Sequence, residues 1–298
     1  MLKIIPGSIN SVGLTDRLYP QQLKRIAKPP SVLYFSGALI RDEKCIAVVG
    51  SRTPTAYGKQ VTIDIVNGLI NAGITIVSGL APGIDTIAHK TAVNQGKRTI
   101  AVLGTGLDKE SIYPRDNLPL AEEIIDNGGC LISEYPEGTA GTKFTFPQRN
   151  RIISGLSLAI TVIEAKERSG ALITAGWARK QKRSVCAVPG SIYSPLSRGT
   201  NQLIKQGTAV AVTEANDILK IIGHSPTGPM GKNQLLLPID SIERRVIEIL
   251  TTGPLAIDEI INHLKLPAGN IISALSILEI NGMVNNLGNG MYGLNAKI

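Results

Sequence analysis

The chain contains 298 residues, of which 43% are hydrophobic, and it has a formal net charge of +8. This length and apolar content are enough for at least one sizeable core and exclude a chain that is disordered as a whole. A sequence pI near 9.4 favours an acidic partner, and nucleic acid is the commonest such partner in the cytoplasm.

The first residues and the cysteines argue against secretion. Residues 1–7 break before an apolar stretch could form a signal peptide, and no run approaches the length of a membrane helix. Cys45, Cys130 and Cys186 are far apart, without a CxxC pair, and we interpret them as core residues in a reducing compartment. Zinc binding or a catalytic thiol is a minor alternative. We expect a cytoplasmic protein with no membrane segment, no metal and no cofactor.

Short apolar runs alternate with amphipathic segments from Cys45 onward. The runs predict strands at 45–49, 74–77, 99–103, 130–133, 158–163, 184–188 and 209–212, and the amphipathic segments predict helices at 58–71, 85–94, 117–127, 170–181 and 201–206. Repeated β-α-β units of this length form a mainly parallel sheet with helices on both faces. Ligands bind such α/β sheets outside the carboxyl ends of the strands.

The composition divides the chain into four parts. Residues 1–38 are interpreted as a short extension, partly helical at best, which precedes the α/β domain at 39–223. Residues 224–238 contain Gly and Pro without apolar periodicity and are typical of a linker. Residues 239–298 show three helical patterns followed by a small hairpin, an order that predicts a winged helix-turn-helix domain.

Two strand ends are followed by loops suited to anions. Gly50, Ser51 and Arg52 follow the first strand of the repeat, where a glycine lets backbone approach a phosphate and an arginine binds it bidentately. The loop matches neither GxxxxGK[ST] nor GxGxxG, and a plain strand-helix turn remains an alternative. The next strand is followed by a similar loop that contains Ser78, Gly79 and Gly83.

Several residues near these loops could have a catalytic or a structural role. Asp85 is expected to be the N-cap of a helix that carries His89, and the two could form an acid–base pair. We favour capping because no nucleophile or metal-ligand spacing accompanies them. Glu134 and Glu164 also end strands, where each could be a catalytic carboxylate or could orient Arg149 or Arg151.

The positive charge is concentrated in residues 141–183, which contain nine Lys or Arg residues and two acids. Lys143, Arg149 and Arg151 lie in the same short segment as Phe144 and Phe146. Cations attract phosphates and aromatic rings stack on unpaired bases, so the segment favours single-stranded nucleic acid. We expect Phe146 to stack on a base and Phe144 to point to the core. The alternative is a solvated basic face with both rings buried.

Further strand ends carry small or basic residues, including Ser169 and Gly170 at the start of a predicted helix with free amides. Each of these features is weak when taken alone. Together they favour an extended groove for a polyanion over a compact pocket for one metabolite.

The ordered motifs VGSRTPTAYG, SGLAPGID, ISEYPEGT, FPQRNRIISGLS, VIEAKERSGALITA and RGTNQLIKQG closely resemble the bacterial DNA-processing protein A family, DprA or Smf. The resemblance covers about residues 30–222. It implies an extended Rossmann-like domain, a homodimer that binds and protects single-stranded DNA, and loading of the recombinase RecA onto incoming DNA in natural transformation. The family is not known as an enzyme.

The resemblance also implies roles for particular residues. It marks Gly50, Ser51 and Arg52 as a phosphate-binding loop, with the second anion loop, 78–83, beside it. It marks Lys143, Phe146, Arg149 and Asn150 as DNA-contacting, and we add Arg151, Ser169 and Gly170 to the predicted interface. For the homodimer, we expect the apolar face formed by Ile218, Leu219 and Ile222 to be the contact. Many relatives have a longer helical N-terminal domain, so any role of that domain is not transferred.

Two other functions are consistent with parts of the sequence. A nucleotide-processing enzyme similar to the Rossmann-like phosphoribohydrolases would use similar strand ends, but the chain lacks the PGGxGTxxE pattern of those enzymes. A sequence-specific regulator would use its winged helix. Residues 239–298 contain six acids and four bases, and the predicted recognition helix at 268–280 has no Lys or Arg, which argues against major-groove recognition.

Overall fold

The computed structural model describes residues 8–224, 242–251, 253–280, 283–288 and 290–294. The chain divides into two compact units, Met1–Thr227 and Gly228–Ile298. No helix within the described ranges is both long enough and apolar enough to cross a membrane.

The described part of the first unit alternates strands and helices along most of its length. Its strands are β1 (Asn10–Gly13), β2 (Val32–Gly37), β3 (Cys45–Val49), β4 (Thr75–Ser78), β5 (Thr99–Leu103), β6 (Cys130–Ser133), β7 (Ala159–Val162), β8 (Ser184–Ala187) and β9 (Val210–Ala211). Its α-helices are α1 (Gln21–Lys24), α2 (Ala56–Asn71), α3 (Ile84–Asn94), α4 (Leu118–Asp126), α5 (Thr145–Leu156), α6 (Gly170–Lys180), α7 (Arg198–Lys205) and α8 (Ala215–Ile221).

These strands form one sheet in the order β1-β2-β6-β5-β4-β3-β7-β8-β9. All neighbouring pairs from β6 to β9 along that order are parallel, whereas β1–β2 and β2–β6 are antiparallel. Helices α5 and α6 pack on one face, and α2, α3 and α8 pack on the other. The predicted α/β fold with a mainly parallel sheet and helices on both faces is confirmed.

The chain reverses its direction across the sheet at β3. It first adds β4, β5 and β6 on one side of β3 and then returns to place β7 on the other side. The loops that leave β3 and β7 therefore diverge at the carboxyl edge, where a doubly wound sheet leaves a crevice. The topology thus fixes the place at which a ligand site is expected.

Most predicted elements agree with the structure within a few residues, but α5 had no predicted counterpart. Its first half contains Pro147 and Arg149, and Phe146 is the only large apolar residue in it. Pro147 is tolerated because it lies in the first turn, where its missing N–H has no helical partner. The helix is nevertheless buried from Arg149 to Leu156, so tertiary packing stabilises a segment whose pattern does not indicate a helix.

The interpretation of residues 1–38 as a separate extension needs correction. Strand β2 pairs with β6 and β1 pairs with β2, so this segment builds one edge of the sheet. Tyr19, Leu23 and Leu33 are at most 1% exposed and belong to the main core. The α/β unit therefore begins at least as early as β1, because β2 completes hydrogen bonds that β6 would otherwise leave open.

The three cysteines are free and buried, as predicted. Burial raises the pKa of the Cys130 thiol to about 12, so this side chain is a neutral core residue near neutral pH.

The described residues of the second unit contain three helices and a three-stranded sheet. The elements are α9 (Ile242–Leu250), β10 (Leu255–Ala256), α10 (Ile257–Leu264), α11 (Ala268–Ile280), β11 (Val284–Gly288) and β12 (Met291–Leu294), with strand order β10-β12-β11. Apolar residues of all three helices and the sheet share one core. This is the predicted winged-helix arrangement. The predicted linker, except for His224, lies outside the described residues.

Candidate nucleic-acid interface

A cleft of about 1090 Å³ lies at the carboxyl edge of the sheet. Its walls come from the loops after β3, β5, β6 and β7 and from the first turns of α5 and α6. Nine residues predicted from the sequence line it, namely Gly50, Ser51, Arg52, Lys143, Phe146, Arg149, Asn150, Ser169 and Gly170. The crevice that the topology leaves at β3 is therefore also where the predicted phosphate loop and basic segment meet.

Close packing and hydrogen bonds hold the Gly50–Arg52 loop in place. A Cβ on Gly50 would lie 2.6 Å from Cγ1 of Ile84, so only glycine lets α3 approach. Gly83 has φ +84°, and a Cβ there would overlap the Ser51 carbonyl oxygen. Gly83 therefore packs directly against the backbone of the Gly50–Arg52 loop, a contact that the sequence alone did not indicate.

Glu164 fixes the end of this loop to the start of α2. Its carboxylate accepts hydrogen bonds from the Thr55 backbone N–H at 2.9 Å and from Thr55 Oγ1 at 2.5 Å. Thr55 is the N-cap of α2, and its Oγ1 accepts from the Gly58 N–H at 3.1 Å. Both carboxylate oxygens thus bind protein groups, so this geometry favours a structural role for Glu164 over a catalytic one.

Arg149 forms the floor of the cleft. Its side chain is buried, and its Nη1 donates to the carbonyl oxygens of Gly79, at 2.8 Å, and Val102. Its Nε donates to Oδ1 of Asn150 at 3.1 Å, and Asn150 Nδ2 donates to the Gly170 carbonyl oxygen at 3.3 Å. Arg149 therefore connects the ends of β4 and β5 to the starts of α5 and α6.

Asp85 lies beside Arg149 in the same floor. It is in the first turn of α3, where Gly83 is the N-cap, so the prediction that Asp85 caps this helix is wrong. Its Oδ2 instead accepts from the Gly79 N–H at 3.0 Å. Burial raises the pKa of Asp85 and the charge of Arg149 opposes that rise, while burial lowers the pKa of Arg149 to about 10.

His89 has no hydrogen bond to Asp85. It is fully buried, and its Nδ1 lies 2.8 Å from Oγ1 of Thr99. Burial, together with the charge of Arg149, lowers its pKa to about 3, so the imidazole is neutral at physiological pH. The geometry favours the structural alternative over an acid–base pair.

The rim of the cleft is cationic and exposed. Five exposed cations, which we call the rim cations, line it: Arg52, Arg115, Lys143, Lys166 and Arg168. No carboxylate within the described ranges forms an ion pair with any of them. The sequence analysis did not identify Arg115 as a site residue, because it lies outside the basic segment. It directly follows Tyr113 and Pro114.

Two aromatic rings lie among the rim cations. Phe146 is half-buried, and its ring centroid is 5.7 Å from that of Tyr113, which is 54% exposed. A Cβ on Gly141 would lie 2.5 Å from Cζ of Phe146, so glycine makes room for this ring. Phe144 is 72% exposed with Lys143 Nζ 5.2 Å from its ring centroid, so the expectation that Phe144 points to the core is wrong. Its position before the first turn of α5 turns it outward.

Four predicted contact residues lie outside the cleft lining. Gly83 packs against the Gly50–Arg52 loop, and Gly79 packs against Arg149 and Asp85. Ser78 is fully buried and donates from Oγ to the Val48 carbonyl oxygen at 2.7 Å. Arg151 is buried and forms an ion pair with Glu134, the orienting role that was one alternative for that carboxylate. Its assignment to the interface is therefore corrected, because its guanidinium is buried and paired with Glu134.

The expected dimer contact also needs correction. Ile218 is fully buried and Leu219 is 3% exposed within a single chain, where both pack against α2 in the core. Ile222 is half-buried and packs at the edge of the same core. The apolar face that the sequence pattern revealed therefore packs mainly within the chain's own core.

The fold and the site together define a class: a doubly wound, Rossmann-like protein with a cation-rimmed cleft at its switch point and an added winged-helix unit. The model of the family DNA recombination-mediator protein A matches residues 10–223, and the DprA winged helix domain matches residues 231–290. The chain belongs to this DprA family of DNA-processing proteins.

Relatives and solved structures agree with this assignment. The DNA processing protein DprA of Bacillus subtilis is 44% identical over 214 residues, which are 71% of each chain. Protein Smf of Synechocystis is 38% identical over 307 residues, covering 91% of this chain and 76% of the relative. The X-ray structure of DprA from Streptococcus pneumoniae has a TM-score of 0.66 at 41% identity and covers 72% of this chain and 75% of that one.

A second solved structure concerns single-stranded DNA binding by DNA processing protein A from Helicobacter pylori. It has a TM-score of 0.64 at 30% identity, and the match covers 72% of this chain and 95% of that one.

Proposed function

We propose that this protein binds single-stranded DNA in the cleft. The observation that carries the proposal is the presence of Phe146 and Tyr113 in one cleft with five exposed cations, none of which forms an ion pair with a described carboxylate. A polyanion needs the cations, and unstacked bases need the rings, so a single strand uses both features. A duplex would offer phosphates but would keep its bases stacked away from the rings. The subject of the Helicobacter pylori structure supports this choice.

Exposed residues of the cleft would contact the DNA directly, and buried residues would hold the exposed ones in position. Arg52 and Lys143 would bind phosphates, since both are exposed and stand at the mouth of the cleft. Phe146 would stack on a base, and the first turn of α6 at Gly170 would add free amides. Arg149 would act indirectly, because its donors are engaged in holding the floor.

A comparison of DNA forms at two salt concentrations tests this proposal. Anisotropy with labelled single-stranded and double-stranded oligonucleotides of equal length should show tighter binding of the single strand. Its log K should fall with log salt by about 0.7 for each phosphate neutralised. Equal affinity for both forms, or an affinity independent of salt, would contradict the proposal.

The second candidate is a nucleotide-processing enzyme, which the strand-end loops alone would allow. The described residues contain no cluster of His, Cys, Asp and Glu able to hold a metal. His89 and Glu164, which could act as a base, are buried or hydrogen-bonded within the protein. A nucleotide hydrolysis assay run beside the binding assay distinguishes the candidates, because turnover that disappears in Arg52→Ala would favour the enzyme.

We further propose that the protein is a cytoplasmic homodimer and passes the bound strand to RecA. The support is family membership. Two joined clefts would hold one strand at an effective concentration that a monomer lacks. Light scattering should give twice the mass of one chain. Adding the protein to single-stranded DNA that is already covered by a competing single-strand-binding protein should speed RecA filament formation. A monomeric mass or an unchanged RecA rate would contradict the corresponding part.

A further inference from the structure

The outer face of α6 carries an aromatic ring that the cleft does not include. Trp177, the only tryptophan of the chain, is half-buried there, and Lys180 Nζ lies 5.0 Å from its ring centroid. Ile173 precedes it by four residues, is 43% exposed and lines the cleft. Residues four apart share one helical face, so the tryptophan ring lies one turn beyond the wall of the cleft.

A group of cations, which we call the α6 basic cluster, surrounds the end of that helix. Its members come from two segments of the chain and are Lys24, Arg25, Arg179, Lys180, Lys182 and Arg183. Arg183 joins the two segments: its Nη2 donates to the Gln22 carbonyl oxygen at 3.1 Å and to that of Gly155 at 3.4 Å. Helix α1 and the last turn of α5 are thereby linked to the turn that follows α6.

The α6 basic cluster has no neutralising carboxylate within the part of the chain that the structure describes. Neither residues 21–28 nor residues 176–184 include an acid, and among the described residues no carboxylate pairs with a member of the cluster. Burial, and then the nearby charge of Arg25, lowers the pKa of Arg183. The charges of Arg25 and Arg183 therefore repel each other with no described carboxylate paired to either, an arrangement that a bound anion would stabilise.

We propose that a single strand leaving the cleft follows the outer face of α6, stacks a base on Trp177 and places its next phosphates on the α6 basic cluster. This rests on the proposed function of the cleft. Helix α6 has 11 residues, so the path is about 16 Å long. An indole ring with a lysine over it suits a nucleotide, since the base can take the ring face and the phosphate can take the lysine.

The single tryptophan supplies a direct test. Oligothymidylates of about 5 and about 20 nucleotides should both bind, since sites on single-strand-binding proteins span about 4 to 16 nucleotides. The long oligomer should lower Trp177 fluorescence, because it reaches the ring, and the short one should leave the emission unchanged. A poly-glutamate of similar charge should not lower the emission.

Variants separate stacking and charge from a general change in the protein. Trp177→Ala should weaken binding of the long oligomer about tenfold, or about 1.4 kcal/mol, and leave the short oligomer unaffected. Trp177→Phe should restore most of that loss, because it keeps a ring. Lys180→Glu should also weaken binding of the long oligomer, whereas the control Lys97→Glu should not, since Lys97 is exposed in the turn before β5.

The outcomes distinguish failure of this proposal from failure of the proposed function. Arg52-dependent binding of both oligomers, with constant Trp177 emission and no effect of Trp177→Ala, would overturn the α6 path and leave the cleft assignment standing. A fall in emission equal to that of DNA when poly-glutamate is added would assign the surface to an acidic protein instead. If neither oligomer binds, both proposals are wrong.

Discussion

The rim and the floor of the cleft carry the same kind of side chain in opposite environments. Arg52 and Lys143 on the rim are exposed and have no ion pair among the described residues. Arg149 in the floor is 5% exposed, beside Asp85, with its donors directed at carbonyl oxygens of the sheet edge. A cation in a basic motif therefore has two possible roles, and burial decides which one it performs.

This difference predicts that floor substitutions impair folding stability and that rim substitutions impair DNA binding. A floor substitution should lower the free energy of unfolding, because it leaves a buried partner without compensation. A rim substitution should lower DNA affinity and leave folding unchanged, because it removes only a solvated side chain.

The largest expected effect is that of Arg149→Met on stability. The change leaves Asp85 and two carbonyl oxygens in the floor without their cation, at a cost of about 3–5 kcal/mol in the free energy of unfolding. Urea unfolding followed by circular dichroism measures it. The matched rim variant, Arg52→Met, should change the same quantity by no more than about 0.5 kcal/mol. Equal effects of the two would mean that rim and floor do not differ as described.

His89 should make the folded chain less stable in acid. Its pKa is about 3 in the folded chain and 6.5 in the unfolded chain, so the unfolded state takes up the proton first as the pH falls below about 6.5. The stability lost between neutral pH and about pH 5 from this group alone is about 2 kcal/mol. Urea unfolding at both pH values should show this loss in the wild type and a smaller loss in His89→Gln. The same loss in both proteins would assign it to other groups.

Much of this architecture was predictable from the sequence. Buried parallel strands such as β3, β5 and β6 are continuous apolar runs, and their bounds matched the prediction. Helix α5 and strand β2 were not predicted as such, because α5 begins with polar residues and β2 belongs to a segment that has no βαβ period. Both acquire their structure from partners that are distant in the sequence.

The same limit explains the errors at the site. The sequence placed Arg149 and Arg151 together as cations of one basic segment. In α5, however, residues two apart point in different directions, so one reaches the cleft floor and the other reaches Glu134. Similarly, the apolar pattern of Ile218 and Leu219 identified a face that packs on something, and only the fold shows that it packs on α2. Apolar periodicity indicates which residues are buried, but it does not indicate which element they pack against.

Phe146→Ala should weaken single-strand binding by about 1–3 kcal/mol, because it removes a ring on which a base would stack. Anisotropy titration with an oligothymidylate measures the change. Phe144→Ala is the matched control, since Phe144 is more exposed and is outside the cleft lining. A larger effect at Phe144 would move the stacking position out of the cleft, and a large fall in melting temperature with normal binding would make Phe146 a core residue.

Arg52→Ala and Lys143→Ala should each produce a smaller, purely electrostatic loss. Each removes one phosphate contact, so the slope of log K against log salt should become shallower by about 0.7. Neither should change the midpoint of urea unfolding. Lys97→Ala removes an equal charge from an exposed turn before β5 and serves as the control. An unchanged affinity and slope in both rim variants would contradict the assignment of the rim to DNA.

The smallest effect is expected from deleting residues 239–298. This segment contains six acids and four bases, a net charge of −2, and α11 has no Lys or Arg to offer to phosphates or bases. The first unit keeps its own core and all the rim cations, so it should fold and retain most of its single-strand affinity. The winged helix would then contact protein or modulate binding. A folded truncated chain whose affinity falls about a hundredfold, or about 2.7 kcal/mol, would instead show that this unit contacts DNA despite its charge.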